Sequence, residues 1–380
     1  MRYAVLLALT LAVPVAAAAQ VPANIEAELL KIGQVVDPSC TAKLYRPLMP
    51  ANDFNTYWPP EAAAPASTSP LYPGVTIVRD QSFGANAKDV LDIFVGEKGG
   101  NSRPVVIYVP GGGGNKIEQQ VRESNAFYDN IGRWATKNGM VGVLVQRHPG
   151  SGNWDDGGRD LSLAADWIKA NIAKHNGDPS HMVMWAHSAG NGPLGVYIGH
   201  PERWKNGVQV QGAVFMSGNP VPTAGAPGGG AGRGGFGAPG APQPGVACGL
   251  SGASMTSAEG HIAGPSGFTA PPAGAGRGGP GGGRGGPELT AEQRAERDNL
   301  PGFKKTSVKI ALAYAELDPG IMNAQMPANV VALHDEMCKE GRCPEMWMLK
   351  GESHMSEVFS IDTSDQTVSK PVLAFVKKVK

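Results

Sequence analysis

The 380-residue chain carries four scattered pieces that together can perform acyl transfer. The first is Ala186-His187-Ser188-Ala189-Gly190, which closes the apolar run Met182-Val183-Met184-Trp185. A strand that turns sharply into a helix needs small residues on both sides of the turn. The residue at the apex is then held in strained backbone with its side chain exposed. Ser188 at that apex is the candidate nucleophile. His187 beside it is expected to point to the other side of the turn and to pack rather than act as base. The second piece, Gly111-Gly112-Gly113-Gly114, follows the apolar run Val105 to Val109. Glycines let backbone N–H groups approach a ligand closely. The N–H groups of Gly112, Gly113 and Ala189 are therefore the expected donors to the oxyanion of an attacked carbonyl. A phosphate-binding P-loop is excluded, because Asn115 precedes Lys116 and Ile117 follows it.

The third piece is Asp318, in Tyr314-Ala315-Glu316-Leu317-Asp318-Pro319-Gly320, just past another apolar run. A carboxylate in such a turn can hold a histidine Nδ1–H and stabilise the imidazolium. Glu316 is its competitor. The fourth is His354, in Gly351-Glu352-Ser353-His354-Met355-Ser356. A loop histidine there can take the serine proton as general base. The order Ser188, Asp318, His354 suits one serine-hydrolase architecture and differs from two other common orders. The reaction so assembled requires neither metal nor organic cofactor.

These pieces need a scaffold whose strands all end at one edge. Val75 to Arg79, Val90 to Val95, Val105 to Val109, Met140 to Gln146, Met182 to Ala186, Ala213 to Ser217, Val308 to Ala313 and Met346 to Leu349 read as strands. Helical spacing falls between them at Asn125 to Lys137, Asp160 to Lys174, Ala189 to His200, Ala328 to Lys339 and Pro371 to Val379. Asp160 is placed to cap its helix. Buried strands alternating with helices imply an α/β fold: a mostly parallel sheet of about eight strands, covered by helices on both faces. Trp154, Trp185 and several methionines could line a pocket, although such residues more often fill cores.

Composition sets the limits. Hydrophobic residues make up 41% and charged residues 17%, with a formal net charge of +0. Nothing there points to nucleic acid or to an anionic membrane. Residues 1–19 read as a secretory signal: Arg2, an apolar stretch from Ala4 to Val13, and Ala17-Ala18-Ala19 as the cleavage site. The apolar stretch is too short for stable membrane insertion, so a periplasmic or secreted location follows. Residues 20–72 form a Pro/Ala-rich lead-in, read as extended or lightly helical. The main domain occupies 73–219 and 288–380, with Glu288 to Asp298 as a short charged helix. Between its two parts, 220–287 holds 24 of the 53 glycines, too many for a packed core, so it reads as a disordered insertion. Arg233, Arg277 and Arg284 sit among those glycines, but a solvated linker is a better reading than an RNA-binding tract. In an oxidising compartment four cysteines can pair. Cys338 and Cys343 flank a short loop and are the favoured pair, leaving Cys40 and Cys248, although the sequence by itself permits three connectivities.

The chain resembles the α/β-hydrolase superfamily, in its carboxylesterase and lipase-like branch with a glycine-rich oxyanion loop. The resemblance covers roughly 75–380 apart from the insertion. Gly111 to Gly114 looks like the family's His-Gly-Gly-Gly loop, with Pro110 where the histidine would stand. Ala186 to Gly190 looks like Gly-x-Ser-Ala-Gly, with Ala186 replacing the first glycine. Asp318 and His354 sit where that family places its acid and base. The resemblance implies a serine esterase acting on a small-molecule or polymer-linked ester, with the insertion in the region of the family's cap. A serine peptidase or amidase on the same fold is the second reading. A non-catalytic binding or cell-surface protein is the third.

Overall fold

The computed structural model describes residues 20–34, 38–48, 72–111, 126–146, 154–218, 220, 301–318, 330–331 and 333–379. Each of the eight runs read as a strand is one. They are β1 Val75–Ser82, β2 Val90–Gly96, β3 Arg103–Val109, β4 Val141–Val145, β5 Gly177–His187, β6 Gly212–Met216, β7 Lys309–Leu317 and β8 Glu345–Ser353. They form a single sheet in the order β1-β2-β4-β3-β5-β6-β7-β8. β1 and β2 pair antiparallel, as do β2 and β4, and every later pairing is parallel.

Side chains alternate across each strand, and in the central strands both faces are buried, whereas the edge strand β1 and the first half of β8 are partly exposed. In β3, Val106 and Tyr108 join one core cluster, while Val105, Ile107 and Val109 join the other. Polar alternation therefore disappears from the central strands, as a doubly covered parallel sheet requires. The helices Ala126–Lys137 and Ser369–Lys378 cover the first face through Ile131, Trp134, Phe375 and Val376. On the second face lie the helices Trp154–Asn171 and Asn191–Gly199 together with helical residues 333–339. Trp185 is fully buried between Tyr108 and Trp134, edge-on to both, so it is core and not pocket.

One expectation needs correction. The helix expected to start at Asp160 starts at Trp154, and Asp160 lies buried inside it. Two glycines in its first turns, Gly157 and Gly158, are needed for packing. A Cβ on Gly157 would sit 2.7 Å from Pro193, and one on Gly158 would sit 2.8 Å from Val196. Close approach to helix Asn191–Gly199 thus outweighs about 1 kcal/mol of propensity per glycine. The described part of the lead-in is helical, one of the two forms expected of it. It contains the helices Ala23–Ile32 and Pro38–Tyr45. Ile25, Leu29, Cys40 and Tyr45 are buried in the first core cluster. A few apolar anchors, Val21 among them, suffice there because the rest of the surface they meet is already built.

Cys338 and Cys343 are bonded, and Cys40 is also disulfide-bonded. Its expected partner Cys248 lies outside the described residues, as do 1–19, 221–287 and the helix read at 288–298. If the lead-in belongs to the cooperative core, Leu29→Ala should cost about 2–5 kcal/mol in denaturant unfolding. A loss under about 0.5 kcal/mol, the range of a surface change, would mean that this helix merely rests on the domain.

Candidate active site

Parallel strands put their C-terminal ends at one edge, and five of them deliver a polar or glycine residue there. β3 is followed by Pro110 and Gly111, β5 by Ser188, β6 by Ser217, β7 by Asp318 and β8 by His354. The sheet pairing brings together residues scattered over more than two hundred positions of sequence.

Ser188 follows the extended His187 and has φ of 52°, after which residues 188–190 turn into helix Asn191–Gly199. A non-glycine residue in that region carries about 1–3 kcal/mol of strain. Its neighbours over-determine it. Asn191 is fully buried and donates Nδ2–H bonds of 2.8 Å to the Ser188 carbonyl and to the Met216 carbonyl. Gly111 must lack a side chain, because a Cβ there would lie 2.8 Å from the Ser188 Cβ. The glycine loop therefore begins directly against the serine.

The Ser188 hydroxyl lies 2.8 Å from His354 Nε2, and His354 Nδ1 lies 2.8 Å from Asp318 Oδ1. With Nδ1–H donated to a carboxylate, Nε2 is left as the acceptor for the serine proton. All three side chains are buried. Asp318 Oδ2 accepts from Ser217 Oγ at 2.7 Å and from the Ala315 N–H at 2.9 Å. Glu316, the competing acid, is exposed and accepts the Gly351 N–H instead. Of the expected oxyanion donors, Ala189 is exposed beside Ser188, while Gly112 and Gly113 lie outside the described residues.

His187 departs from its expected placement. It faces the same side as His354. The two rings lie 4.7 Å apart, and His187 Nε2 donates to the His354 carbonyl at 2.9 Å. Burial, reinforced by the neighbouring His354, holds its imidazole well below the usual histidine range. A neutral His187 fixes the base's backbone without adding positive charge beside it. Sequence reading also missed Asn191, Ser217 and Glu357. Asn191 and Glu357 each lie three residues past a candidate, Ser188 and His354, and Ser217 closes a run read as a strand; those are the signals that could have found them. His187, His354 and Glu357 each bring one ligating atom within 4.8 Å of the others. Their bonds to a carbonyl, to Asp318 and Ser188, and to Ser217 make the group a hydrogen-bonded cluster.

The fold has counterparts among solved structures. A solved esterase, Est22, superposes with a TM-score of 0.51 at 14% identity, over 96% of this chain and 95% of that one. An esterase of Pyrobaculum calidifontis gives 0.50 at 14% identity, over 92% and 96%. The chain has the α/β-hydrolase fold. Within that fold, the antiparallel β1–β2 edge and the parallel run from β3 to β8 account for where the five site residues emerge. No protein-family model matches the chain. A chlorogenic acid esterase of Aspergillus niger is 27% identical over 110 residues, 26% of this chain and 20% of that protein. Secreted lipase 5 of Gibberella zeae is 27% identical over 139 residues, 33% of this chain and 24% of that protein. The chain thus spans a fifth to a quarter of the length of these relatives.

The state of His187 can be tested through stability. Unfolded, it takes up a proton as pH falls below about 6.5, whereas the folded form resists. Its contribution therefore opposes folding increasingly as pH drops from that point. Relative to His187→Gln, the wild type should lose up to about 1.4 kcal/mol per pH unit between pH 6.5 and 5. A stability difference that stays flat across that window would show that His187 protonates freely in the folded protein.

Proposed function

We propose that the protein is an exported serine esterase that cleaves carboxylic esters through an acyl-enzyme. One observation supports this reading above the others: an unbroken hydrogen-bond line from Ser188 Oγ through both ring nitrogens of His354 to Asp318. Ser188 Oγ attacks the ester carbonyl while its proton passes to His354 Nε2. The new positive charge on the ring is held by Asp318 through Nδ1–H. The negative oxygen formed on the substrate is received by the N–H of Ala189 and by those of Gly112 and Gly113. The ring then gives its proton to the departing alcohol, and water repeats the sequence to release the acid.

Esters rather than amides are favoured by the partial relatives, one a chlorogenic acid esterase and the other a lipase. Both leave the class of acyl group open between aromatic and aliphatic acids. Export rests on the amino-terminal pattern ending at Ala19, on the relative described as secreted and on the disulfide-bonded cysteines. Among the described residues, no helix is long and apolar enough to cross a membrane.

Ser188→Ala and His354→Ala should each lower kcat by about 10³–10⁶ on an ester that the wild type turns over, in a protein that remains folded. Asp318→Asn should cost about 10⁴, because it favours the wrong tautomer of His354. Near-normal turnover in either of the first two variants would reject the assignment. Amino-terminal sequencing of the protein recovered outside the cytoplasm should begin at Gln20. Recovery of a chain still starting at Met1 would reject a cleaved signal.

A further inference from the structure

Behind Asp318 lies a second carboxyl group that the proposed reaction does not use. Glu357 is fully buried on the short helix Ser356–Phe359, one turn past His354. Ser217 Oγ lies 2.7 Å from Asp318 Oδ2 and 2.7 Å from Glu357 Oε1. A hydroxyl has one proton to give. It cannot donate to two ionised carboxylates at once, so one of the two must itself carry a proton.

The other contacts decide which. Asp318 accepts from His354 Nδ1, from Ser217 and from the Ala315 N–H, three donors converging on one carboxylate. The Ala315 N–H also lies 3.2 Å from Ser217 Oγ. Among the described residues, Glu357 Oε2 has no hydrogen-bond partner and only a 3.4 Å approach from His187 Nε2, which already donates to the His354 carbonyl. Asp318 is placed to be charged, and Glu357 is placed to be neutral.

We propose that Glu357 is a protonated carboxylic acid that donates to Ser217, so that Ser217 donates to Asp318 and holds it toward His354. Glu357 and Ser217 are then positioning residues. The inference deepens the esterase reading and rests on it. The groups facing Glu357 are Asp318 and Ser217 from the ends of β7 and β6, His187 from β5, Tyr108 from β3, and Glu352 with His354 from β8 and the loop after it. Burial raises the Glu357 carboxyl well above its ordinary range, and the negative charges of Asp318 and Glu352 raise it further. A neutral acid there adds no second negative charge beside Asp318. It also leaves Ser217 with a fixed direction.

Phosphonylation of Ser188 by diisopropyl fluorophosphate is a suitable readout, because its rate follows serine activation without requiring the natural ester. Glu357→Gln keeps a neutral group with an N–H to offer Ser217. It should react within about threefold of wild type, with the midpoint of the acid limb of its pH–rate profile unmoved. Ser217→Ala should slow the reaction by about tenfold or more, a loss comparable to one hydrogen bond. Its midpoint should move to higher pH, because an Asp318 with one donor fewer attracts a proton on His354 more strongly. The infrared difference between wild type and Glu357→Gln should contain the carbonyl stretch of a protonated carboxylic acid, whatever the activity of either protein. A midpoint lowered by about one unit or more in Glu357→Gln would mean that a negative charge had been removed, and would overturn the proposal. So would wild-type behaviour of Ser217→Ala, or an infrared difference showing only a carboxylate. Failure of the folded wild type to be phosphonylated at Ser188 would instead reject the esterase reading, leaving the infrared result to judge Glu357 alone.

Discussion

The hydrogen bond between His354 and Asp318, closed off from water at the end of the sheet, is the constraint on which the rest depends. Both side chains are buried. An imidazole so placed can gain a proton only if a carboxylate is fixed beside it, since an isolated buried charge costs several kcal/mol. The carboxylate in turn has to be held, and three donors hold it. The strained turn at Ser188 faces the other ring nitrogen. Each piece would be unfavourable alone: a positive φ, a buried carboxylate and a buried histidine. Together they satisfy one another.

The sheet makes this possible by simple geometry. Parallel strands advance in register, so residues immediately past β3, β5, β6, β7 and β8 meet at one edge. The two cores on either face fix the strands, and the site inherits their rigidity. The amino-terminal helices add to this from below. The Tyr45 hydroxyl donates to Asp365 at 2.8 Å; burial raises that hydroxyl above its ordinary range, and the nearby Glu352 and Asp365 carboxyls raise it further. Glu352 bonds the Ser356 hydroxyl, and Ser356 receives the Ser353 N–H at 2.7 Å, beside His354. A segment that composition marks as a loose lead-in is thus tied into the loop that carries the candidate base.

Much of this was legible in the residues. The central strands announced themselves as apolar runs, because a doubly buried strand has nothing polar to hide, while the partly exposed β1 and β8 showed through shorter apolar segments. Ser188, Asp318 and His354 could be picked out as candidates because each lies within a few residues past such a run. What escaped notice did so for physical reasons. Gly157 and Gly158 lower helix propensity, and only the distance to Pro193 and Val196 explains why a helix runs through them. Ile25 and Leu29 form too short an apolar stripe to reveal a partner surface made elsewhere in the chain. Ser217, Asn191 and Glu357 are ordinary polar residues in sequence, and they acquire roles only through partners as many as 140 positions away. His187 was placed on the wrong side because alternation along a strand stops predicting direction where the strand ends in a positive-φ turn.

The most direct test of the convergence of serine, imidazole and carboxylate is the site of covalent capture. The folded protein would be treated with a fluorophosphonate and digested, and the adduct located by mass spectrometry. A single adduct on Ser188, absent when Asp318 and His354 are both replaced by alanine, is the outcome that a nucleophile activated through that hydrogen-bonded line requires. An adduct on another residue, or one on Ser188 that forms equally fast without the two partners, would contradict it.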